Sequence, residues 1–317
     1  MPDVIAINEV TVRKGENKEI NLNIARLPTQ TVIDLPIFVY RAAEDGPTIS
    51  VTAGLHGDEI NGIETIRRMI YNQSIIPHAG TVIAIPVVNV YGFIHTSRKF
   101  PDGKDLNRSF PGSSSGSLAG RIAHVLMNEV VPHIDCGIDF HTGGASKENY
   151  PHLRCNFDFP RSLELARAFA PPFVVNSKAP DHSFRKAAAL QGKPILTFEG
   201  GESLRLHDFS IRQGIDGILR LMKHLGMKNS RVANGETRVL PGSRWRRAQY
   251  SGLFRASVRI GEQIRRNQVL GYIADPFGET DYKIKAQSDG YVIGLNNMCV
   301  VNKGEALIHI AAEGGEK

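Results

Sequence analysis

The chain has 317 residues, of which 41% are hydrophobic and 22% are charged, and its formal net charge is +6. This composition is ordinary for a globular protein and argues against wholesale disorder, and the length favours two domains. The cysteines Cys136, Cys155 and Cys299 form no CxxC pair, which argues against a disulfide framework or a cysteine zinc site.

The positive charge raises the question of nucleic-acid binding. Arg244, Arg246 and Arg247 surround Trp245, as in a short binding patch, but no helix-turn-helix, zinc-finger or RNP motif accompanies them. We therefore predict no nucleic-acid partner. No run of about 18 apolar residues without charge occurs, and the first residues, MPDVIAINEV, lack the pattern of a secretory signal. The sequence thus predicts a cytoplasmic protein with no membrane partner.

Several segments have the apolar, β-branched composition of buried strands. In chain order they cover residues 48–53, 81–88, 136–140 and 194–198. A loop follows the first strand at residues 54–58, and isoleucines then recur at helical spacing from Ile60 to Ile70. The last two predicted strands end in His141 and Glu199. Because ligand sites form at the carboxyl ends of strands in α/β sheets, we expect these ends to share a crevice.

The loop after the first strand contains HGDE, in which His56 and Glu59 are three residues apart. This spacing lets an imidazole and a carboxylate bind the same ion. His141, which closes another predicted strand beside glycines, is the best candidate for a third ligand. Two histidines and one glutamate form a catalytic zinc set that leaves one position open.

Three further motifs follow in a fixed order: Arg98, DLNR at residues 105–108, and FEGG at residues 198–201. Together with the HGDE loop and His141, they resemble the succinylglutamate desuccinylase and aspartoacylase family, relatives of the zinc carboxypeptidases. The resemblance extends from about residue 50 to residue 202. It implies an α/β fold with a zinc-carboxypeptidase-like mixed central sheet flanked by helices.

The resemblance also implies a role for each matching residue. His56, Glu59 and His141 would hold one zinc ion per chain. Glu199 would be the general base that assists the attack of zinc-bound water and then protonates the leaving amine. Arg98 would stabilise the oxyanion of the tetrahedral intermediate.

Asn107 and Arg108 correspond to the pair that binds a carboxylate of the substrate in this family. A guanidinium binds both oxygens of a carboxylate, and the amide adds another hydrogen bond. The two residues therefore predict a small anionic substrate derived from an amino acid.

Other polar residues are expected to have less specific roles. We expect Asp58 to orient the metal site or to cap the following helix, and Asp139 either to orient the site or to be a structural carboxylate. Arg154 could bind a second substrate carboxylate, but a surface arginine is the preferred interpretation. The remaining histidines are predicted to be surface or packing residues: His78, His95, His124, His133, His152, His182, His207, His224 and His309.

After about residue 230 the chain consists of short β-like runs interrupted by glycine. We predict a catalytic domain at residues 1–230 and a small all-β domain at residues 231–317. The second resembles the barrel-sandwich of biotinyl and lipoyl carrier domains. Lys283 and Lys285 lack the sequence context of a modified lysine, so we expect this domain to cover the active-site cleft and to carry no prosthetic group.

These observations predict a zinc-dependent amidohydrolase that acts on carbon–nitrogen bonds other than peptide bonds. Its reaction would convert an N-acyl amino acid to a carboxylate and a free amino acid. A metallocarboxypeptidase acting on short peptides is the first alternative, since the same residues would serve it. A catalytically inactive zinc-binding protein is the second, although binding alone would require neither Glu199 nor Arg98. Assembly into a homo-oligomer is possible.

Overall fold

Strands and helices alternate through most of the chain in the computed structural model, which describes residues 4–26 and 29–314. The strands before residue 230 are β1 (Val4–Ile7), β2 (Val10–Arg13), β3 (Asn17–Arg26), β4 (Val32–Arg41), β5 (Glu44–Ala53), β6 (Ala79–Ile85), β7 (Cys136–Gly143), β8 (Lys147–Cys155), β9 (Phe173–Asn176) and β10 (Ile195–Glu202). The α-helices are α1 (Ile60–Tyr71), α2 (Val90–Ile94), α3 (Leu118–Val125), α4 (Pro160–Phe169), α5 (Phe184–Leu190) and α6 (Asp208–His224). Shorter helical segments are Leu106–Arg108, Leu126–Val130 and Val131–His133.

The later part of the chain is built from strands. They are β11 (Arg238–Leu240), β12 (Gly242–Arg247), β13 (Gly252–Ala256), β14 (Gln263–Ile264), β15 (Val269–Ala274), β16 (Asp281–Lys285), β17 (Gly290–Asn296), β18 (Val300–Val301) and β19 (Ala306–Ala312).

One mixed sheet of 13 strands dominates the described residues. Its main path runs in the order β12-β19-β17-β8-β10-β7-β5-β6-β4-β3. The middle strands β6, β5, β7 and β10 pair in parallel, whereas β4 and β8 join this group antiparallel. Strand β7 is buried along its whole length, as expected for a parallel strand covered on both faces. The prediction of a mixed α/β sheet flanked by helices is confirmed.

Helices cover the sheet on both faces. One apolar cluster joins Ile66 of α1, Leu165 of α4 and Ile218 of α6 to the buried residues of the parallel strands. A second cluster contains Ile122 of α3 and Phe184 of α5. Because each helix buries one apolar stripe against the sheet, the helices hold the parallel strands at fixed spacing. No helix in the described ranges is both long and apolar enough to cross a lipid bilayer.

Each predicted strand and the first helix overlap an observed element, but the strand ends differ; β5, for example, begins at Glu44 and not at residue 48. Strand β6 stops at Ile85, before Pro86, because proline cannot donate the next ladder hydrogen bond. Strands β7 and β10 continue beyond His141 and Glu199, to Gly143 and Glu202. Strand β10 extends because the antiparallel strand β8 pairs with its last residues.

The segment after residue 230 adds strands to the central sheet. Strand β17 pairs with β8, and β19 and β12 follow it outward. Strands β16, β15, β13 and β18 form a separate four-stranded sheet in the described part of the chain. An apolar cluster that includes Phe254, Leu270 and Ile308 joins the two sets of strands. The division at residues 230 and 231 and the barrel-sandwich architecture stay predictions.

Candidate metal centre and active site

The loop between β5 and α1 carries two of the predicted metal ligands. Gly57 makes this loop possible, because a Cβ atom at residue 57 would lie 1.8 Å from the carbonyl carbon of Gly92. Glycine therefore allows the loop to lie against the backbone of α2. His56 and Glu59 are both only 2% exposed, and α1 begins directly after Glu59.

The predicted ligands lie together in the structure. The Nδ1 atom of His56 is 2.7 Å from Glu59 Oε1, and the Nδ1 atom of His141 is 2.8 Å from Glu59 Oε2. One ligand atom from each residue lies within 4.8 Å of the other two. The Thr142 backbone N–H also donates to Glu59 Oε2, at 3.1 Å. Strand β7 therefore positions both its own histidine and the carboxylate from the loop.

Two further carboxylates contact the outer nitrogens of the histidines. Asp105 Oδ1 is 3.1 Å from His56 Nε2, and Asp139 Oδ2 is 2.8 Å from His141 Nε2. Thr52 donates to the other oxygen of Asp139 at 2.8 Å. Carboxylates in this position orient metal-binding imidazoles and make them more basic. The contact supports the orienting alternative for Asp139. For Asp105 the sequence predicts no role.

This arrangement fits a bound divalent cation. A neutral imidazole carries one N–H, yet each ring has carboxylate oxygens on both of its nitrogens. In a neutral ring, the nitrogen without a hydrogen would therefore face a carboxylate oxygen with its lone pair, which is repulsive. A cation between the Nδ1 atoms and Glu59 removes this conflict, and two imidazoles with one carboxylate are a donor set that zinc accepts.

The pKa directions of these groups follow from the charges that face each of them. Burial alone would raise the pKa of Glu59, but the facing imidazoles of His56 and His141 hold it well below its usual range. Burial would likewise lower the pKa of His141, whereas Asp139 and Glu59 raise it well above its usual value. The site thus stabilises positive charge on or between its imidazoles.

Arg98 lies at the edge of this group. Its Nη1 donates to Glu59 Oε1 at 3.0 Å, and its Nη2 donates to Asp105 Oδ2 at 3.0 Å. Its side chain is 37% exposed, so the guanidinium also faces solvent. Two carboxylates therefore fix the predicted oxyanion residue beside the candidate ligands.

Glu199 lies beside His141, because the two residues are register partners on the adjacent strands β10 and β7, and both line the same cavity. Its side chain is 12% exposed and accepts hydrogen bonds from Asn149 Nδ2 at 2.9 Å and Arg154 Nη1 at 3.4 Å. Burial raises the pKa of Glu199, and the positive charges of His141 and Arg154 oppose this effect. A buried carboxylate facing a metal group is suited to proton transfer.

Asn107 and Arg108 belong to the short 3₁₀ helix that Asp105 caps. Asn107 Oδ1 accepts a hydrogen bond from the Phe184 backbone N–H at 3.0 Å, which fixes the amide. Arg108 is exposed and donates to the Asn107 carbonyl oxygen at 2.6 Å. Both residues line the same cavity as the candidate ligands, Arg98 and Glu199, and this cavity has a volume of about 230 Å³.

The cavity wall also contains residues outside the set predicted to hold the metal, catalyse the reaction or bind the substrate carboxylate. Strand β8 supplies Asn149, His152 and Arg154, and the segment after residue 230 supplies Trp245 and His309. Arg154, whose side chain is 34% exposed, lines the cavity, which fits the substrate-binding alternative as well as the preferred surface interpretation. His152 and His309 are buried, as packing histidines would be, but they too face the cavity.

The pairing of β8 with β10 explains why two of these residues lie on the cavity wall. His152 is in register with Glu199, and Arg154 is in register with Thr197 on the same strand, β10. Residues two apart on a strand share one face, so His152 and Arg154 point to the same side of the sheet. The structure does not support the helix-cap alternative for Asp58. Its buried Oδ1 has no hydrogen-bond partner among the described residues, and the N-cap residue of α1 is Glu59.

The inner wall of the cavity is positively charged. Arg185 is 9% exposed, its Nη2 donates to the Lys178 carbonyl oxygen at 3.0 Å, and its Nη1 has no hydrogen-bond partner in the part of the chain described. Burial and the neighbouring Arg154 lower the pKa of Arg185 to about 10. A buried guanidinium with an unsatisfied N–H favours the binding of an anion.

Comparison with known proteins gives a family match. Residues 45–225, more than half of the chain, match the family model of the succinylglutamate desuccinylase/aspartoacylase catalytic domain. An N-alpha-acetyl-L-2,4-diaminobutyric acid deacetylase from Halomonas elongata is 29% identical over 300 residues, and the match covers 87% of this chain and 85% of that protein.

Solved structures agree with this match. A succinylglutamate desuccinylase/aspartoacylase from Rhodobacter sphaeroides superposes with a TM-score of 0.84 at 26% identity, over 96% of this chain and 97% of that one. The product-bound ectoine utilization protein EutE (DoeB) from Ruegeria pomeroyi superposes with a TM-score of 0.86 at 22% identity, over 98% of both chains. At 22% identity, the similarity to the Ruegeria pomeroyi protein shows a shared fold.

Proposed function

Because the chain belongs to the succinylglutamate desuccinylase/aspartoacylase family, we propose that it is a zinc-dependent deacylase that hydrolyses the amide bond of an N-acyl amino acid. The observation that carries this proposal is the buried group His56, Glu59 and His141, which shares one cavity with the buried carboxylate of Glu199. An inactive binding protein would need no second carboxylate beside its metal group.

His56, Glu59 and His141 would hold the metal, and Asp105 and Asp139 would orient the two imidazoles. When bound, zinc supplies a Lewis acid that polarises a carbonyl group and lowers the pKa of water. The protein contributes the buried position of these residues and the hydrogen bonds that fix them before substrate arrives.

Glu199 moves the proton in this proposal. Its carboxylate takes a proton from the attacking water while the water oxygen bonds to the carbonyl carbon of the substrate. The carbon–nitrogen bond then breaks, and the same proton passes to the leaving nitrogen. The products are a carboxylic acid and the free amine of an amino acid, so atoms and charges balance.

Arg98 would stabilise the negative charge that develops on the carbonyl oxygen. Its guanidinium is already oriented by Glu59 and Asp105, so it would need little rearrangement during the reaction. Loss of one such donor typically lowers the rate by about 100-fold or more.

The substrate would be anionic and small. Asn107 and Arg108 would bind its carboxylate, and the unpaired Nη1 of Arg185 adds positive potential at the inner wall. Trp245 and His309, from the segment after residue 230, narrow the cavity on another side. We propose that this segment limits access to compact substrates, which favours acyl amino acids over peptides.

The relative from Halomonas elongata is a deacetylase of N-alpha-acetyl-L-2,4-diaminobutyric acid. An N-acetyl amino acid of similar size is therefore the first substrate to test. The experiment is to incubate zinc-loaded protein with a panel of N-acetyl amino acids, N-succinyl amino acids and short peptides, and to measure released amine. We expect turnover of at least one acyl amino acid and little turnover of peptides. Faster release of carboxy-terminal residues from peptides would indicate a carboxypeptidase instead.

A further inference from the structure

The shorter of the two hydrogen bonds to Glu199 comes from a residue outside the sequence motifs. Asn149 Nδ2 donates to Glu199 Oε2 at 2.9 Å, whereas the contact from Arg154 to Oε1 is 3.4 Å. Asn149 is 8% exposed, so water competes little for its amide. The amide therefore holds one oxygen of the carboxylate and leaves the other less tightly bound.

The orientation of Asn149 is restricted by the segment after residue 230. Gly294 on β17 is the register partner of Asn149 on β8. A Cβ atom at residue 294 would lie 2.8 Å from Asn149 Oδ1 and 3.0 Å from the Cβ atom of His309. The amide oxygen of Asn149 thus occupies the space that a side chain at residue 294 would need, and its Nδ2 is directed to the other side.

We propose that Asn149 is a positioning residue for Glu199, and that Gly294 makes room for the orientation in which its amide faces that carboxylate. This inference depends on the proposed role of Glu199 in proton transfer. The amide donates but cannot accept through Nδ2, so it favours the ionised carboxylate and fixes its plane. Through this contact the late strand β17 acts on the candidate base as well as on the cavity wall.

The first test is Asn149→Ala, assayed with an N-acyl amino acid that the wild-type protein hydrolyses. We expect kcat to fall by about 10-fold to 100-fold, because a misdirected catalytic group loses rate steeply, while KM and zinc content stay near wild type. Asn149→Asp preserves size and replaces the donor with a carboxylate, so it should lose at least as much kcat and provides the test if the alanine variant does not fold.

Asn297→Ala is a matched control. Asn297 Nδ2 also donates to a glutamate of β10, Glu202 Oε2 at 3.2 Å, but both side chains lie outside the cavity lining. We expect this variant to retain kcat within about two-fold, since surface substitutions of this kind are usually close to neutral.

A double-mutant cycle separates positioning from a general structural role. If Asn149 acts through Glu199, adding Asn149→Ala to Glu199→Gln should lower the residual rate by less than about two-fold, although it lowers the wild-type rate strongly. Equal losses in both backgrounds would overturn the inference. If Glu199→Gln alone keeps near-normal turnover, the proposed function has failed; if it is inactive but Asn149 variants retain full kcat, only this inference has failed.

Gly294→Ala tests the part played by β17. The added methyl group would displace the Asn149 amide, so we expect kcat to fall with little change in KM. Combined with Asn149→Ala, it should lower kcat by a smaller factor than in the wild-type background, because the amide it displaces is already absent and only the contacts with His309 and the Glu148 carbonyl oxygen remain. A Gly294→Ala variant with wild-type kcat would remove β17 from the inference.

Discussion

Charge balance governs the candidate metal centre at the scale of single residues. Glu59, Asp105 and Asp139 surround the imidazoles of His56 and His141, and Arg98 supplies part of the compensating charge. This grouping predicts strong binding of a divalent cation. It also predicts that removal of one imidazole leaves too few ligands to close the site.

We expect His56→Ala and His141→Ala each to abolish tight zinc binding, because the two remaining ligands cannot hold the ion. Wild-type protein should contain close to one zinc per chain. Metal analysis by mass spectrometry after dialysis checks both variants. Full zinc occupancy in the two variants would contradict the ligand assignment.

The outer carboxylate Asp105 should affect metal affinity without ligating the metal. Asp105→Asn keeps its size but removes the charge that faces His56 and Arg98, so zinc affinity should fall by about 10-fold to 100-fold. Asp102→Asn is the control, since Asp102 is exposed and accepts a hydrogen bond from the Lys104 backbone N–H, away from the candidate ligands. Chelator competition measures both affinities, and equal values would exclude Asp105 from the site.

Arg108 should determine the preference for a free carboxylate on the substrate. A neutral amide would leave the guanidinium without its bidentate partner, so wild-type kcat/KM should be much higher for an N-acyl amino acid than for its amide. Arg108→Met should reduce the ratio of the two kcat/KM values toward one. Arg67→Met is the control and should not change this ratio, because Arg67 is an exposed residue of α1 that pairs with Glu64. Equal kcat/KM for acid and amide in wild type would refute the assignment.

Helix α1 and its neighbouring strands hold the loop of His56 and Glu59 in place at the scale of elements. Gly62 lies in α1 at the closest contact with the sheet, where a Cβ atom would be 2.3 Å from that of Phe140. The helix therefore lies closer to β7 than any residue with a side chain would allow. Its position fixes Glu59, which directly precedes it.

Gly62→Ala should destabilise the protein despite the better helix propensity of alanine. The propensity gain is about 1 kcal/mol, and overpacking of a tight contact typically costs about 1 to 3 kcal/mol or more. Gly120→Ala in α3 is the matched control, because its added Cβ meets nothing closer than 3.5 Å. Chemical denaturation of the metal-free variants should show a lower free energy of unfolding for Gly62→Ala and no decrease for Gly120→Ala. The reverse order would contradict the packing argument.

The elements that carry local signals were the ones that could be predicted from sequence. Apolar runs identified β5, β7 and β10, and helical spacing identified α1. The role of β8 could not be predicted in this way, because His152 and Arg154 join the site through an antiparallel pairing with β10 that no local pattern reports. Register across strands depends on tertiary packing. The motifs therefore identified the candidate ligands, Arg98 and Glu199 but not the cavity residues on β8.

The central sheet links both parts of the chain at the scale of the whole molecule. The sequence predicted a separate β domain after residue 230, and the glycine-rich strands are present. Strand β17 nevertheless pairs with β8, so the late segment extends the sheet that carries the site. Trp245 and His309 reach the cavity for this reason. Sequence composition separated the two parts but could not show that their strands hydrogen-bond.

The central claim is that Glu199 transfers protons beside a metal held by His56, Glu59 and His141. Glu199→Gln preserves the size and shape of the side chain but removes the carboxylate that would act as the base. The direct test is to measure kcat and zinc content side by side in this variant, with an N-acyl amino acid as substrate. We predict full zinc content with kcat reduced by about 10,000-fold, near the upper end of general acid–base effects. Turnover within a few-fold of wild type, or loss of the zinc, would contradict the account.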